Sequence, residues 1–523
     1  MIRRLRLNPK LAAAALLGFA SALPFVFLTG TLSAWFSELG ISMTMIGLLS
    51  SITLAYGFKL LWAPLVRRDL HRWMALSQIG LAAAFAGLAQ TDPLSALSQF
   101  ALIGFCAAIL AATYDTAFEA WRIRVADAAA PVELIMTASQ IGARAGVLVA
   151  GAAALWFSAL VGWAPVAWGL AAIFALFGVV MLGWPVICIA DDSSTQEAAT
   201  FPQNTMQQLV AVVCSMAGLA IAMWQVASFI ARISVASGDQ QRQIESFTQV
   251  SGPLIIAMVV IVPILAGRLG LFAAERLPPW SPPPDMAERI GAIHEAVVAP
   301  FAELSHRFGV RLLLLLAFVA LYTLPWFSWA GFTLPLYLRE LGFAKPEVAM
   351  AARLYGSVPT AIGILLGGLA LVRLPRRDAL LIGALLPLLA NLAYIDLAQG
   401  SDGLRAIVDT AARHLPPSAR ANIEYLGPLY LAITVKNLCA GIASAIFVGF
   451  LASLVAPRHA TAQCAIFASL SFVTGAIASA LTGQMIDEHG FAGMLRYASA
   501  LAPVAAMLAL WISRAPEPAS SVN

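Results

Sequence analysis

The stretch LAAAALLGFASALPFVFLTGTLSAW, residues 11–35, carries no charged side chain over its whole length. An α-helix needs about 20 mainly apolar residues to cross the roughly 30 Å hydrocarbon core of a bilayer, and this stretch exceeds that length. Basic residues precede it, as in a signal peptide, but it is too long for a signal peptide's apolar region. We therefore predict an uncleaved first membrane span.

Similar apolar runs recur along the chain. Of its 523 residues, 60% are hydrophobic and 11% are charged, whereas an average soluble domain has about 25% charged residues. Helices satisfy their own backbone hydrogen bonds in lipid, so these runs predict an all-α transmembrane fold. Twelve spans are expected in two groups of six, at about 11–37, 43–66, 73–91, 96–121, 133–160 and 164–189, and at about 310–337, 347–372, 379–398, 426–455, 462–485 and 494–513.

The segment between the two groups contains further apolar runs. Leu209–Ile233 and Gly252–Leu271 are both long enough to span, so we expect about 14 spans in total. A proline-rich stretch at Leu277–Pro284 and an amphipathic surface helix at Met286–Phe308 are expected to follow. The predicted organisation is an N-terminal six-helix bundle at 1–190, a central insertion at 191–308 and a C-terminal six-helix bundle at 309–523.

The placement of Lys and Arg predicts the topology, because short cytoplasmic loops are enriched in them. With the N-terminus inside, 19 of the 31 fall on cytoplasmic segments and 8 on outer segments. We therefore predict a multi-pass protein of a bacterial inner membrane with both termini in the cytoplasm. The polar segment Gly400–Glu424 then faces the periplasm, as a surface excursion or, alternatively, as a substrate-capture element.

Several function classes have no support in the sequence. The five cysteines lie inside apolar runs without a CxxC pair or a His/Cys cluster, so neither disulfides nor a metal site is expected. There is no nucleotide-binding P-loop and no constellation of nucleophile and base, so we predict no enzyme activity and no cofactor. The net charge of +4 gives no indication of a nucleic-acid partner.

Charged residues inside the spans are the most informative feature. Each costs about 2.5–3.5 kcal/mol or more at the bilayer centre unless it is paired or hydrated. Together they predict a polar cavity among the helices. The six residues are Lys59, Asp115, Glu119, Arg144, Arg353 and Lys436.

Asp115 and Glu119 are four residues apart and so lie on one helix face, with Arg122 three residues further on. Two neighbouring carboxylates in a cleft of low dielectric constant are the chemistry that a proton-coupled carrier needs. We predict that these two carboxylates exchange the proton. The alternative is a static ion-pair network with Arg122 or Arg144 that fixes helix packing.

Arg122 and the remaining candidates would contact the substrate. Arg144 could hold a carboxylate of the protein or of the substrate, and Lys436, followed by Asn437, lies in the middle of a span. Lys59 could bind substrate or extend to the lipid headgroups. Trp121 shares its helix with the carboxylates, although aromatic residues more often serve in packing.

Seven stretches of the sequence form a recognisable set of motifs: Leu17–Pro24, Thr29–Trp35, Ala55–Pro64, Asp115–Arg122, Ala296–Pro300, Asn437–Gly441 and Ala460–Gln463. They resemble the AmpG muropeptide permeases, of the peptide/acetyl-coenzyme A/drug transporter group in the major facilitator superfamily. They cover most of both six-span groups, and the last of them adds Gln463 to the substrate-binding candidates.

The resemblance implies a major facilitator fold that imports peptidoglycan fragments, the N-acetylglucosaminyl-anhydro-N-acetylmuramyl peptides (GlcNAc-anhydroMurNAc-peptides), from periplasm to cytoplasm. It implies proton symport, a role in cell-wall recycling and, in some bacteria, a link to β-lactamase induction. The partners are then the glycopeptide, protons and the lipid bilayer, and we expect a monomer.

Four departures from the family pattern concern substrate identity and proton stoichiometry. The family has an acidic residue where Lys436 stands, and a Lys and an Asp where Thr323 and Trp326 stand. An Asp after span 2 is replaced by Arg67, with Asp69 nearby. Familiar members with fourteen spans carry the extra pair at the C-terminus, whereas here it lies between the two groups.

Two alternative functions follow from the same features. The chain could be a facilitator for another amphipathic anion, such as a coenzyme A ester. It could instead be a membrane sensor or assembly protein that uses this fold without transport.

Overall fold

The computed structural model describes residues 8–61, 66, 69–188, 205–232, 282–413, 417–455 and 460–513, with a few isolated positions between 254 and 265. These residues are helical almost throughout, and the one pairing between extended residues that they contain is an isolated bridge of Asp127 with Ala130. The predicted all-α fold is confirmed.

The described helices follow the predicted spans closely. The first eight are α1 Pro9–Glu38, α2 Met43–Leu49, α3 Leu70–Gln90, α4 Leu97–Arg124, α5 Leu134–Val161, α6 Trp163–Gly183, α7 Pro185–Cys188 and α8 Thr205–Arg232. The others are α9 Pro284–Val297, α10 Ala299–Phe308, α11 Arg311–Glu340, α12 Lys345–Arg373, α13 Arg376–Ala398, α14 Asp402–Ala412, α15 Pro417–Leu454 and α16 Ala460–Ser513.

Eleven helices in the described ranges are long and apolar enough to cross a membrane. One of them, α16, covers the last two predicted spans. Gly490, which adopts a positive φ of 68°, interrupts this helix between the two spans. The second predicted span begins as α2 and continues as a 3-10 helix over Ser50–Leu61. Most of Gly252–Leu271 and of the proline-rich stretch lies outside the described residues, so the full count of fourteen stays a prediction.

The chain divides into two compact units. Unit 1 comprises Met1–Trp35 and Ser51–Glu303, and unit 2 comprises Phe36–Ser50 and Leu304–Asn523. The three-part division predicted at 190 and 308 remains a prediction.

Small residues let the helices of unit 1 pack closely. Gly18 of α1 and Gly146 of α5 each approach the backbone of the other helix, and Gly142 of α5 lies against the Ala15 carbonyl of α1. A Cβ at any of these three glycines would overlap atoms of the opposite helix. Close backbone approach at small residues is typical of helix packing in membranes. These contacts bring α1 and α5 together on either side of Arg144.

Unit 2 uses the same device between α12 and α15. Gly363 and Gly441 face each other so closely that neither has room for a Cβ. Nearby, Tyr322 stacks on Phe447 with ring centroids 4.7 Å apart, and its hydroxyl donates to the Ala443 carbonyl over 3.2 Å. The two contacts fix the position of α11 against α15.

The Phe36–Ser50 segment is attached to unit 2 by polar contacts. The two carboxylate oxygens of Asp487 accept the backbone N–H groups of Met43, at 3.2 Å, and Thr44, at 2.7 Å. Helix N-termini have unpaired N–H groups and a partial positive charge, so a carboxylate there is stabilising. An ion pair of Glu38 with Lys345, 2.6 Å long, supports the same attachment.

The predicted amphipathic helix at Met286–Phe308 is wrong in one respect. It forms two helices, α9 and α10, with a break at Val298. Pro300 explains the break, because proline has no N–H to donate to the preceding turn. One face of these helices is buried, through Ile290, Val297 and Phe301.

The predicted excursion after residue 400 contains α14. Its N-terminus is capped by Asp396, which accepts the N–H groups of Gly403 and Leu404 at 3.0 and 2.8 Å. Val408 of its buried face contacts Gly427 of α15. The described part of this segment contains an amphipathic helix, while its position at the periplasmic surface and the capture role stay predictions.

Replacing Asp487 with Asn should destabilise the protein. The amide keeps one acceptor and loses the charge at the α2 N-terminus, which should lower the free energy of unfolding by about 1–2 kcal/mol. The measurement is thermal unfolding in detergent. The matched control is Asp409→Asn, which removes an exposed carboxylate from α14. Equal stability of the two variants would contradict the capping role.

Candidate functional site

Three elements of unit 1 bring polar side chains together around α4. Asp115 Oδ1 accepts a hydrogen bond of 2.5 Å from the Ser21 hydroxyl of α1. One turn further along α4, Glu119 Oε1 lies 2.9 Å from Lys59 Nζ of the 3-10 helix. Because residues four apart share a helix face, the two carboxylates point in a common direction. We call Ser21, Lys59, Asp115 and Glu119 the carboxylate cluster.

The carboxylate cluster is only partly enclosed. The Lys59 side chain is 20% exposed and that of Glu119 is 39% exposed, so Glu119 remains accessible from the space beside α4. Lys59 interacts electrostatically with both carboxylates. The Lys59 ammonium therefore contacts a carboxylate of the cluster. Extension to the lipid headgroups alone does not explain its position.

The two arginines expected near the carboxylates are placed differently. The Arg122 guanidinium lies 4.8 Å from the centroid of the Phe118 ring, and its Nε has no hydrogen-bond partner among the described residues. Arg144 is exposed. Within the described part of the chain, the ion pair of Glu119 is with Lys59 and with neither arginine. This arrangement differs from the static network that the sequence left open.

Trp121 is fully buried, and its indole Nε1 donates to the Ile187 carbonyl of α7 over 3.1 Å. Its ring packs in an apolar core with Tyr114, Phe118 and Met181. The placement favours the packing role over contact with substrate.

In unit 2, Lys436 of α15 lies against two aromatic rings. Its Nζ is 5.0 Å from the centroid of Trp329 and 5.5 Å from that of Tyr394. Asn437 Nδ2 donates to the Gly356 carbonyl of α12 over 2.8 Å, which joins the two helices. Gln463 is buried near the start of α16.

The positions that depart from the family pattern are also described in part. Thr323 is buried, and Trp326 packs edge-on against Tyr322, with centroids 5.8 Å apart. Asp69 precedes α3 and pairs with Arg72 over 3.5 Å, whereas Arg67 lies outside the described residues.

Outside the spans, the turn after α4 is bound to the start of α1. The predicted topology places this turn in the cytoplasm. Lys10 Nζ donates to Asp127 Oδ2 over 2.5 Å and to the Val125 carbonyl over 2.9 Å. The bond from Lys10 and those from the Ala130 and Ala129 N–H groups lower the pKa of Asp127 below its usual value. This tie connects the start of α1 to the turn after α4, which carries the carboxylates.

Sequence reasoning missed Ser21 as a member of the site. The available signal was its position in the matching stretch Leu17–Pro24 of the first span. It also missed Arg353 as a neighbour of Lys436, with which Arg353 interacts electrostatically. The two lie on different helices, so the sequence carries no periodicity that relates them.

Comparison with known proteins supports the predicted resemblance. The chain is 25% identical over 518 residues to the anhydromuropeptide permease of Escherichia coli K12, covering 97% of this chain and 80% of that protein. It is 22% identical to the putative transporter AmpG 4 of Rickettsia conorii, with 95% of both chains covered. No protein-family profile matches the chain.

Solved structures show the same architecture. An auto-inhibited peptide transporter of the POT family aligns with a TM-score of 0.63 at 15% identity, covering 97% of this chain and 98% of that one. A mutant of the nucleoside transporter NupG aligns with a TM-score of 0.54 at 13% identity, covering 97% and 100%. The predicted major facilitator fold and the prediction of a multi-pass membrane transporter rather than an enzyme are confirmed.

Replacing Trp121 with Phe should reduce stability. The substitution keeps an aromatic ring but leaves the buried Ile187 carbonyl without its donor, which should cost about 1–3 kcal/mol of unfolding free energy. Thermal unfolding in detergent measures the loss. The control is Trp168→Phe, because Trp168 is exposed on α6. A Trp121 variant as stable as the Trp168 variant would show that the hydrogen bond does not support packing.

Proposed function

We propose that this protein is a proton-coupled importer of anhydromuropeptides, carrying GlcNAc-anhydroMurNAc-peptides from periplasm to cytoplasm for cell-wall recycling. The observation that carries the proposal is the carboxylate cluster on α4, in a chain similar to an anhydromuropeptide permease. In bacteria with inducible β-lactamase, the imported fragments would also supply the inducing signal. Both termini would lie in the cytoplasm.

The geometry of the carboxylate cluster assigns different roles to its two acids. Protonating Glu119 would break its ion pair with Lys59, whereas Asp115 forms no ion pair among the described residues, and a proton on its Oδ2 leaves the hydrogen bond from Ser21 to Oδ1 intact. Asp115 is therefore the proton carrier in this proposal. Glu119 and Lys59 form an ion pair whose rearrangement would couple the proton to substrate.

Cations at membrane depth would complement the substrate. The stem peptides of muropeptides are acidic, and a carboxylate binds most strongly to Arg or Lys where water is scarce. Arg122 and Arg144, whose charges have no carboxylate partner among the hydrogen bonds and ion pairs of the described residues, would provide this attraction in unit 1. Lys436 would provide it in unit 2.

One observation favours a second substrate class. Lys436 stands where the family has an acidic residue, and Thr323 and Trp326 replace two further charged positions. A more basic binding region would also suit another amphipathic anion, such as a coenzyme A ester. A sensor on this fold would bind ligand without moving it across the membrane.

Uptake of radiolabelled anhydromuropeptide into right-side-out vesicles separates these functions. With one proton per substrate, a gradient of one pH unit, acidic outside, should support about 10-fold accumulation. Collapse of the gradient should abolish it. Saturable uptake of coenzyme A esters alone would favour the second class, and binding without flux would favour a sensor.

The Asp115→Asn variant should lose accumulation but keep exchange. Because it cannot release a proton, its accumulation ratio should fall to about 1, while exchange of internal for external substrate continues. The control is Asp409→Asn, with an exposed carboxylate on α14 changed in the same way. Accumulation by the Asp115 variant at the wild-type level would refute its role as proton carrier.

A further inference from the structure

Unit 2 contains a second cation near Lys436 that the proposed function does not use. Arg353 of α12 interacts electrostatically with Lys436 and with the Tyr337 hydroxyl. Tyr337 is hydrogen-bonded to the hydroxyl of Tyr394, whose ring lies beneath the Lys436 ammonium. Two cations and two tyrosine hydroxyls thus form one cluster within a single unit. We call it the cationic cluster.

Among the residues that the structure describes, neither cation of the cationic cluster has a carboxylate partner. Lys436 contacts the faces of Trp329 and Tyr394, and neither charged group forms a hydrogen bond or ion pair with any residue that the structure describes. Cation–π contacts compensate only a small part of the cost of two like charges at membrane depth. The cluster therefore has positive charge that a bound anion would neutralise.

Both side chains also retain some accessible surface. Each of the two residues is half-buried rather than fully buried. Arg353 and Lys436 are therefore available to a ligand without unfolding of the surrounding helices.

The backbone that carries Arg353 is fixed against α15. It forms a π-helical turn over Ala349–Tyr355, a feature that is frequent at functional sites. After this turn, the Gly356 carbonyl accepts from Asn437 Nδ2 at 2.8 Å, and the Tyr355 hydroxyl lies 2.8 Å from Thr434 Oγ1. The two contacts flank Lys436 along α15, so the separation of the two cations is set before ligand binds.

We propose that Arg353 and Lys436 form an anion subsite that binds the carboxylates of a peptide ligand. Guanidinium groups bind carboxylates through two parallel hydrogen bonds, and the Lys436 ammonium adds a compact charge. The identity of the ligand rests on the proposed function: the subsite would hold the acidic peptide stem of a muropeptide. The Tyr337–Tyr394 hydroxyl pair positions the two cations.

The test compares two forms of one ligand. The probes are a GlcNAc-anhydroMurNAc-tripeptide with free carboxyl groups and the same compound with every carboxyl group amidated, and equilibrium binding to the purified protein in detergent is measured. The wild type should bind the acid at least about 10-fold more tightly than the amide. Arg353→Gln and Lys436→Gln should each reduce this ratio, and the double variant should bring it to about 1.

Two controls identify the cause of any change. Arg405→Gln removes an exposed cation of α14 and should leave the ratio unchanged, and Lys436→Arg should preserve most of it. Binding of the amidated ligand should be similar in all variants, which shows that they are folded. A double variant that keeps the wild-type preference for the acid would overturn the subsite.

Failure of the proposed function gives a different result. If the wild type binds neither form of the muropeptide, the substrate assignment is wrong, and N-acetyl-D-glutamate becomes the probe of the subsite. This dicarboxylate should raise the unfolding temperature of the wild type and leave that of the double variant unchanged. An equal response of the two proteins to the probe would overturn the subsite independently of the transport substrate.

Discussion

The cost of placing charge in a hydrocarbon environment governs the structure of this protein. A charged side chain at membrane depth persists where another group or water compensates it. In unit 1 the compensation is local, since Lys59 pairs with Glu119 and Ser21 donates to Asp115. In the described part of unit 2, Lys436 contacts the faces of two aromatic rings and no carboxylate. This difference separates a cluster suited to proton exchange from one suited to binding an anion.

Helix packing supplies the precision that these interactions need. In unit 1, Gly18, Gly142 and Gly146 bring the backbones of α1 and α5 together, and α1 carries Ser21, the partner of Asp115. In unit 2, Gly363 and Gly441 bring α12 close to α15, the two helices that carry Arg353 and Lys436. The small residues therefore hold helices at the distances at which their polar residues can interact.

The sequence predicted the described spans well, because hydropathy reports directly on the cost of leaving water. It predicted less well where one helix meets another. Lys59 and Glu119 are 60 positions apart, and their pairing depends on the rotation of two helices that hydropathy does not specify. The sequence did not predict that Lys436 contacts Trp329 and Tyr394, for the same reason. The division of Met286–Phe308 at Val298 was missed because its apolar periodicity continues across the break.

The central claim is that substrate moves together with a proton that Asp115 carries. The most direct measurement adds unlabelled anhydromuropeptide to proteoliposomes in a lightly buffered medium and follows the external pH. Wild-type protein should produce a substrate-dependent rise in external pH, as protons enter with the substrate, and the Asp115→Asn protein should produce no such rise. Substrate entry into wild-type proteoliposomes without any change in external pH would contradict the central claim.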